Sequence, residues 1–317
     1  MHHRTRTSLR DRVSLVLLVA LVGSLFALVW SGLPSPRLPT EPSPAGVAHG
    51  SLPPVIHIIQ QAETRTAQSL QAAFDRVGFD LDSVAQGYIS VPGVLLARLP
   101  PDLDQLDTME AHKALFLRVL LPVVLAVNDQ IGADRQRLLG IRAKLSSGVT
   151  LTGEDVAWVL TLADAYDQPD ADVDALLAKV DVIPPSIALA QAIEESGWGT
   201  SRIARERNAL FGQFGQISTG DWNYRNFASL TEAVAAYSHN LNTHRAYREF
   251  RQARFTMRNK RGEIDSWELA VTLHRYSERG DDYVQSLRSI MRDNNLEAYD
   301  AARINGRQPV VIVARNG

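Results

Sequence analysis

The chain has 317 residues, of which 45% are hydrophobic and 21% are charged, and its formal net charge is −2. Length and apolar content allow one large or two modest domains with a substantial core. The chain contains no cysteine, which excludes disulfides, thiolate metal sites and cysteine nucleophiles. A near-neutral charge gives no general attraction to nucleic acid, and no P-loop, HExxH or GxSxG arrangement occurs.

The N-terminal segment predicts a membrane anchor. Residues 1–12 carry four arginines, and residues 13–30 form an uncharged run. As a helix this run is about 27 Å long, close to the thickness of the hydrocarbon core of a bilayer. No convincing small-x-small cleavage site follows it, so we expect an uncleaved transmembrane helix with residues 1–12 in the cytoplasm. A buried core helix is the alternative, which the basic flank disfavours.

A tether and a helical extension are predicted next. Residues 31–54 are rich in proline, serine and glycine and should form a flexible linker. Within residues 55–180, residues 64–77 could be helical, and residues 88–99 have short apolar runs split by Pro-Gly. Apolar spacing of three to four predicts further helices at 110–131, 134–145, 152–166 and 172–180. We expect this extension to pack against the segment that follows, and an independent helical domain is the alternative.

The next segment predicts a buried helix that ends in two carboxylates. Pro184 and Pro185 can open a helix, and alanine, leucine and isoleucine then surround it on most faces. Glu194 and Glu195 come at its end, and Gly197 can terminate it in the left-handed conformation. Apolar surroundings and the negative end of the helix dipole raise a carboxyl pKa, which suits a general acid. A solvated glutamate pair is the alternative, and helical angle does not say which glutamate faces inward.

A small β-structure and more helices follow. A short helix is expected at 200–207, and alternation with turn residues predicts a β-hairpin within 213–227. Helices are then predicted at 230–244, 265–273 and 281–294. His239 and His244 are five residues apart, which does not present two metal ligands on one helix face, so we expect structural or sugar-contacting roles.

Positive charge is concentrated in residues 201–261, with 11 Lys or Arg against 4 Asp or Glu. A solvated surface is the ordinary interpretation of such a run. The alternative is attraction to an anionic polymer.

One long motif resembles a known family. The run ALAQAIEESGWGTSRIARERNALFGQFG, at 188–215, is similar to the signature of the bacterial glucosaminidases, glycoside hydrolase family 73, and of their Bax-like branch in particular. Further similar runs are NLNTHRAYREFR at 240–251, LHRYSERGDDYVQSLRSIM at 273–291, and NNLEAYD at 294–300. The resemblance implies a mainly α fold, with a lysozyme-like α+β catalytic lobe at 181–300 that includes a small β-hairpin. The helical extension and the transmembrane helix would precede this lobe, and 301–317 would be a C-terminal tail.

The resemblance also implies residue roles. In this family the glutamate before Ser-Gly-Trp-Gly is the catalytic acid, which corresponds to Glu195, and Tyr276 of the Tyr-Ser/Thr-x-x-Gly motif would line the reacting sugar. Family members carry a second glutamate in the hairpin, whereas the hairpin here has Asp221 as its acid. Asp221 could act as general base, or the acetamido group of the substrate could supply the nucleophile. The remaining cleft residues implied are Trp198, Asn208, Phe211 and Gln213.

The implied activity is that of a peptidoglycan hydrolase, an autolysin-type endo-β-N-acetylglucosaminidase that cleaves the β-1,4 bond after N-acetylglucosamine. Expected partners are peptidoglycan glycan strands and the inner membrane, with the catalytic domain in the periplasm. Nucleic acid, metal ions and cofactors are not expected. A non-catalytic or weakly catalytic peptidoglycan-binding module is the alternative. The missing hairpin glutamate favours that module, and the intact Glu-Ser-Gly-Trp-Gly run favours the enzyme.

Overall fold

Helices dominate the protein in the computed structural model, which describes residues 66–216, 222–305 and 310–312. The α-helices of these residues are α1 (Ala67–Arg76), α2 (Leu81–Ala85), α3 (Met109–Ser146), α4 (Gly153–Ala165), α5 (Val173–Lys179), α6 (Pro185–Ser196), α7 (Arg202–Arg207), α8 (Leu230–Thr243), α9 (Arg248–Arg261), α10 (Ser266–Ala270) and α11 (Asp281–Asp293). Short 3-10 helices are Leu103–Gln105, Arg245–Tyr247, Val271–Leu273 and Leu296–Tyr299. The predicted mainly helical fold is confirmed. The predicted stub 1–12, anchor 13–30 and linker 31–54 lie outside the described residues.

Side-chain caps account for many of the helix starts. Thr66, Thr108 and Thr152 each accept a hydrogen bond from the backbone N–H three residues ahead, at the starts of α1, α3 and α4. Asp172 caps α5 in the same way, and Ser229 caps α8. These caps satisfy N–H groups that a helix start otherwise leaves without partners. Predicted boundaries therefore lie within a few residues of the observed ones.

The helix α3 corrects one prediction. Separate helices were expected at 110–131 and 134–145, but α3 is continuous through Gly132 and also contains Pro122. Glycine inside a helix costs about 1 kcal/mol relative to alanine. Burial of Ile131 and Leu138 on either side offsets this cost, since each such side chain contributes roughly 1.5–3 kcal/mol. Among the described residues α3 alone is long and apolar enough to cross a membrane, but 72% of its most apolar window is buried inside the protein.

The helix α9 was not predicted. Its inward side chains include Phe250, Arg254 and Met257, which follow helical spacing. Arg254 has no exposed surface. Because a charged residue occupies a core position, the apolar periodicity of this helix is interrupted in the sequence.

Two small sheets are present in the described residues. Strands β2 (Phe214–Gln216) and β3 (Trp222–Tyr224) pair antiparallel, which confirms the predicted hairpin. Strands β1 (Val94–Leu96) and β4 (Val310–Ile312) pair parallel, and a further bridge joins Val91 to Ile304. This second sheet was not expected. Part of the predicted tail 301–317 therefore pairs with the predicted helical extension, residues 55–180.

The helix α6 lies at the centre of the described fold. It packs against α3, α11 and the Leu296–Tyr299 turn. At its start the Asp300 carboxylate accepts hydrogen bonds from the Ser186 N–H and hydroxyl, both at 2.8 Å, and from the Ser266 hydroxyl. One hydrophobic core includes residues from both the predicted extension and the predicted catalytic lobe. The boundary between them at 180 and 181 stays a prediction.

Candidate active site

The C-terminal end of α6 holds the glutamate pair. Gly197 follows it with φ +56°, which ends the helix in the left-handed conformation as predicted. Arg279 Nη1 donates to Glu194 at 2.6 Å, and the Ser286 hydroxyl lies 3.0 Å from both carboxylate oxygens. The negative charge of Glu194 is therefore balanced by a specific cation and a hydroxyl donor.

Glu195 has different surroundings. It is partly buried, and within the described residues it forms no ion pair. Burial raises the pKa of the Glu195 carboxyl, and the charge of Glu194 raises it further. The Tyr283 hydroxyl and the charge of Arg279 act in the opposite direction and lower this pKa. The net shift is upward, so of the two glutamates Glu195 has the character of a proton donor.

The loop after α7 approaches Glu195 through a glycine. Gly212 has φ +61°, and a β-carbon placed there would lie 2.7 Å from Glu195 Oε2. A side chain at this position would force the carboxylate to shift. The absence of a side chain at Gly212 thus allows the Asn-Ala-Leu-Phe-Gly segment to border the acid.

Aromatic side chains surround the same place. The Tyr276 hydroxyl donates to the Phe211 carbonyl at 2.9 Å, and its ring stacks on Tyr283 with 5.5 Å between centroids. The Phe211 ring stacks on Tyr237 at 4.0 Å. Burial raises the pKa of Tyr276, and the charge of Glu195 raises it further. Four parts of the chain therefore meet around Glu195: α6, the loop that follows α7, helix α8, and the segment that leads into α11.

Comparison with known proteins identifies the family. Residues 171–296, which include the glutamate pair and Tyr276, match the family described as mannosyl-glycoprotein endo-beta-N-acetylglucosaminidase. Protein bax of Escherichia coli (strain K12) is 32% identical over 202 residues, covering 61% of this chain and 74% of that protein. The chain belongs to the glucosaminidase family. The crystal structure of the catalytic domain of the autolysin Auto from Listeria monocytogenes is 17% identical and covers 51% of this chain and 97% of that one. Its TM-score of 0.29 is too low to establish a shared fold, so the lysozyme-like lobe stays a prediction.

Three residues expected to build the glucosaminidase cleft lie largely inside the protein. Asn208 is fully buried, and its amide donates to the Phe227 carbonyl at 2.9 Å. Phe211 is 1% exposed, and the partly buried Gln213 donates to the Ala233 carbonyl at 3.0 Å. These contacts hold the loop that carries Gly212. Direct contact of these side chains with substrate stays a prediction, and their burial favours a supporting role.

Trp198 joins this end of α6 to α3. Its ring packs edge-on against Phe116 with centroids 5.7 Å apart, and Lys113 Nζ lies 4.9 Å from the ring centre. His112 Nε2 is 2.9 Å from the Trp198 carbonyl. The ring is only partly buried, so both core packing and substrate contact remain compatible with its position. Asp221, the expected second acid, lies outside the described residues.

Sequence reasoning missed Arg279, Tyr283 and Ser286, which all contact the glutamate pair. Tyr283 and Ser286 are three residues apart on α11, which is the spacing of one helix face, and Arg279 lies in the turn before that helix. All three lie in a run that resembles the family. Helical spacing within that run is the signal that could have located Tyr283 and Ser286, and no such spacing points to Arg279.

The structure also shows which basic residues of 201–261 are buried and which are exposed. Arg251 and Arg254 are buried and donate to backbone carbonyls, and Arg258 binds the Asp181 carboxylate. These three arginines stabilise the fold instead of forming an exposed charged surface. The exposed arginines of the run are Arg202, Arg205, Arg225, Arg245, Arg248 and Arg261.

Proposed function

We propose that this glucosaminidase cleaves the β-1,4 bond that follows N-acetylglucosamine in peptidoglycan, with Glu195 as general acid. The observation that carries the proposal is the contrast between the two glutamates. Glu194 is bound by Arg279 and Ser286, whereas Glu195 is partly buried with a raised pKa. Family membership supports the class of reaction.

The chemistry requires a proton for the leaving oxygen. Glu195 donates it as the glycosidic bond breaks, and an oxocarbenium-like centre develops on the sugar. A raised carboxyl pKa keeps more of the acid protonated near neutral pH. Tyr276, held by the Phe211 carbonyl, lines the reacting sugar in this proposal.

A second group must assist the attack of water. We propose Asp221 as general base, with the acetamido group of the substrate as the other route. Asp221→Asn separates the two routes, because loss of a base typically lowers the rate by about 10²–10⁴-fold. Near-normal turnover of Asp221→Asn would favour the acetamido route.

Glu195→Gln tests the acid directly. This variant keeps the shape of the side chain and removes its proton, so release of reducing ends from purified peptidoglycan should be abolished. Glu194→Gln is the matched control on the adjacent residue and should retain most of the activity. Circular dichroism and binding to sacculi should be unchanged in Glu195→Gln. If the Glu194 variant is inactive while the Glu195 variant is active, the assignment is wrong.

A peptidoglycan-binding module is the second candidate function. One observation favours it: Glu194, the other carboxylate beside Glu195 among the described residues, is already bound by Arg279 and is not free to act as a base. In that case the parent protein and both single variants would bind sacculi equally and release no reducing ends.

The proposed location is the inner membrane with the catalytic domain in the periplasm. This part of the proposal is based on the basic residues 1–12 and the uncharged run 13–30. Exposed arginines such as Arg245 and Arg248 would favour a substrate whose stem peptides carry free carboxylates.

A further inference from the structure

A cleft with charged walls lies between α3, α9 and the connection from α5 to α6. It has a volume of about 280 Å³ and shares no lining residue with the candidate active site. Its polar lining consists of Arg135, Gln136, Asp181, Arg258 and Asn259, and we call it the arginine cleft. A water molecule in the liquid occupies about 30 Å³. The arginine cleft is therefore large enough for a small ion together with several water molecules.

Two guanidinium groups line the arginine cleft, and each has donors to spare. Arg258 binds the Asp181 carboxylate through Nε and Nη2, both at 2.9 Å. Arg135 Nη1 donates to the carbonyls of Leu177 and Val180. Among the described residues, Arg258 Nη1 and Arg135 Nη2 form no hydrogen bond. The Arg258 side chain is 29% exposed and that of Arg135 is 10% exposed, so both guanidinium groups can still contact a ligand.

Positive charge exceeds negative charge around this cleft. Arg254 lies directly behind it and donates to the carbonyls of Asp181 and Val182. Three arginines thus surround one aspartate, which leaves two positive charges. The carbonyl groups at the end of α5 offset roughly half of one charge. More than one positive charge therefore remains without a counterion, and a cleft with protein walls concentrates its field.

The mutual effect of the arginines agrees with this charge count. Burial lowers the pKa of the Arg254 guanidinium most, and the charge of Asp181 opposes that change. The charges of Arg135 and Arg258 lower the same pKa further. An anion in the arginine cleft would relieve this repulsion between like charges.

We propose that the arginine cleft binds a phosphate group, held between Arg135 and Arg258. A phosphate monoester carries a charge of about −1.5 to −2 at pH 7, which matches the excess positive charge better than a carboxylate does. The planar guanidinium presents paired N–H donors that fit phosphate oxygens. Because Asp181 and Val182 lead into α6, a bound phosphate links α3 and α9 to the segment before that helix. This site is independent of the proposed catalytic function.

Thermal unfolding of the full chain, purified in detergent, tests the site with inorganic phosphate as the probe. At about ten times its Kd, phosphate should raise Tm by about 3–6 °C relative to chloride at the same ionic strength. Phosphate also stabilises proteins in general because it is excluded from their surfaces. The comparison of variants separates this general effect from binding in the arginine cleft.

Gln136→Glu is the decisive variant. Gln136 is exposed and lines the cleft, so the change adds a negative charge there and leaves the arginine contacts in place. We expect the Kd for phosphate to rise at least tenfold. Gln252→Glu is the matched control, because it makes the same change at an exposed position of α9 outside the cleft and should respond like the parent. Equal Tm increases in the parent and both variants would overturn the site.

Further probes and one further variant identify the ligand. Arg258→Gln should abolish the specific response, and if loss of its pair with Asp181 prevents folding, Gln136→Glu still carries the test. Binding of glycerol 3-phosphate would support a phosphate carried by a larger molecule, whereas binding of inorganic phosphate alone would support a site for the free ion. Acetate should bind at least tenfold more weakly than phosphate. Acetate that binds as tightly as phosphate would overturn the assignment to a phosphate group.

Discussion

Glu194 and Glu195 are adjacent in the chain, but their side chains have different neighbours in the folded protein. Arg279 and Ser286 hold Glu194, whereas Tyr283 and Gly212 border Glu195. Glu194 is therefore paired with a cation, whereas burial and the charge of Glu194 raise the pKa of Glu195. The neighbours of Glu194, Arg279 and Ser286, lie more than 80 positions further along the chain. Glu195 is bordered instead by the loop after α7, through Gly212.

Gly212→Ala tests the close approach of that loop. An alanine methyl would lie 2.7 Å from Glu195 Oε2, and the left-handed φ of +61° adds backbone strain. We expect kcat/KM on peptidoglycan to fall at least tenfold, with a loss of stability of about 1–2 kcal/mol in urea unfolding.

Gly262→Ala is the matched control. Gly262 also has a positive φ, +78°, but nothing lies within 4 Å of the added carbon. It should lose a similar amount of stability and keep its activity. Equal activities of the two folded variants would show that the contact at Gly212 does not matter.

At the scale of elements, the connection between α5 and α6 is held by α9. Arg254 Nη1 donates to the carbonyls of Asp181 and Val182 at 3.0 and 3.1 Å, and Nη2 donates to the carbonyls of Ala178 and Lys179. Burial lowers the pKa of this guanidinium to about 10, so it remains charged at neutral pH. A buried cation thus neutralises the carbonyl end of α5 and fixes the segment that leads into α6.

Arg254→Ala should be strongly destabilising. Removing the guanidinium leaves several buried carbonyls without donors and leaves a cavity, so we expect a loss of about 3–5 kcal/mol in urea unfolding. Arg248→Ala, on the exposed face of α9, is the control and should change stability by less than about 0.5 kcal/mol. A small effect of Arg254→Ala would mean that water or a rearranged neighbour replaces the lost hydrogen bonds.

For the whole molecule, the absence of cysteine offers a direct test of the proposed membrane topology. Ser43→Cys lies in the predicted linker, and Ser8→Cys lies in the predicted cytoplasmic stub. In intact cells with a permeable outer membrane, a membrane-impermeant maleimide should label Ser43→Cys and not Ser8→Cys. Lysed cells should show labelling of both variants. Labelling of Ser8→Cys in intact cells, or of neither variant, would contradict the proposed orientation.

Local rules explain what could be predicted from the sequence. Pro185 at the start of α6, Gly197 at its end and the threonine caps of α1, α3 and α4 depend on residues only a few positions apart. The hairpin could be predicted for the same reason. Helix ends, and with them the position of the glutamate pair at the end of a buried helix, are therefore accessible from the chain alone.

Contacts between residues that are far apart in the chain could be determined only from the tertiary structure. Helical spacing gives the angle of Glu195 on α6, but it does not reveal that Arg279 binds Glu194 or that Gly212 lies against the Glu195 carboxylate. Arg254 looks like a surface residue in the sequence, and only the carbonyls gathered around it make its burial favourable. The sequence by itself determined where the candidate acid lies along the chain. Which of the two glutamates suits the proposed role of proton donor depends on charges and hydrogen bonds that distant parts of the chain bring to it, since a carboxyl pKa responds to what surrounds the group in space.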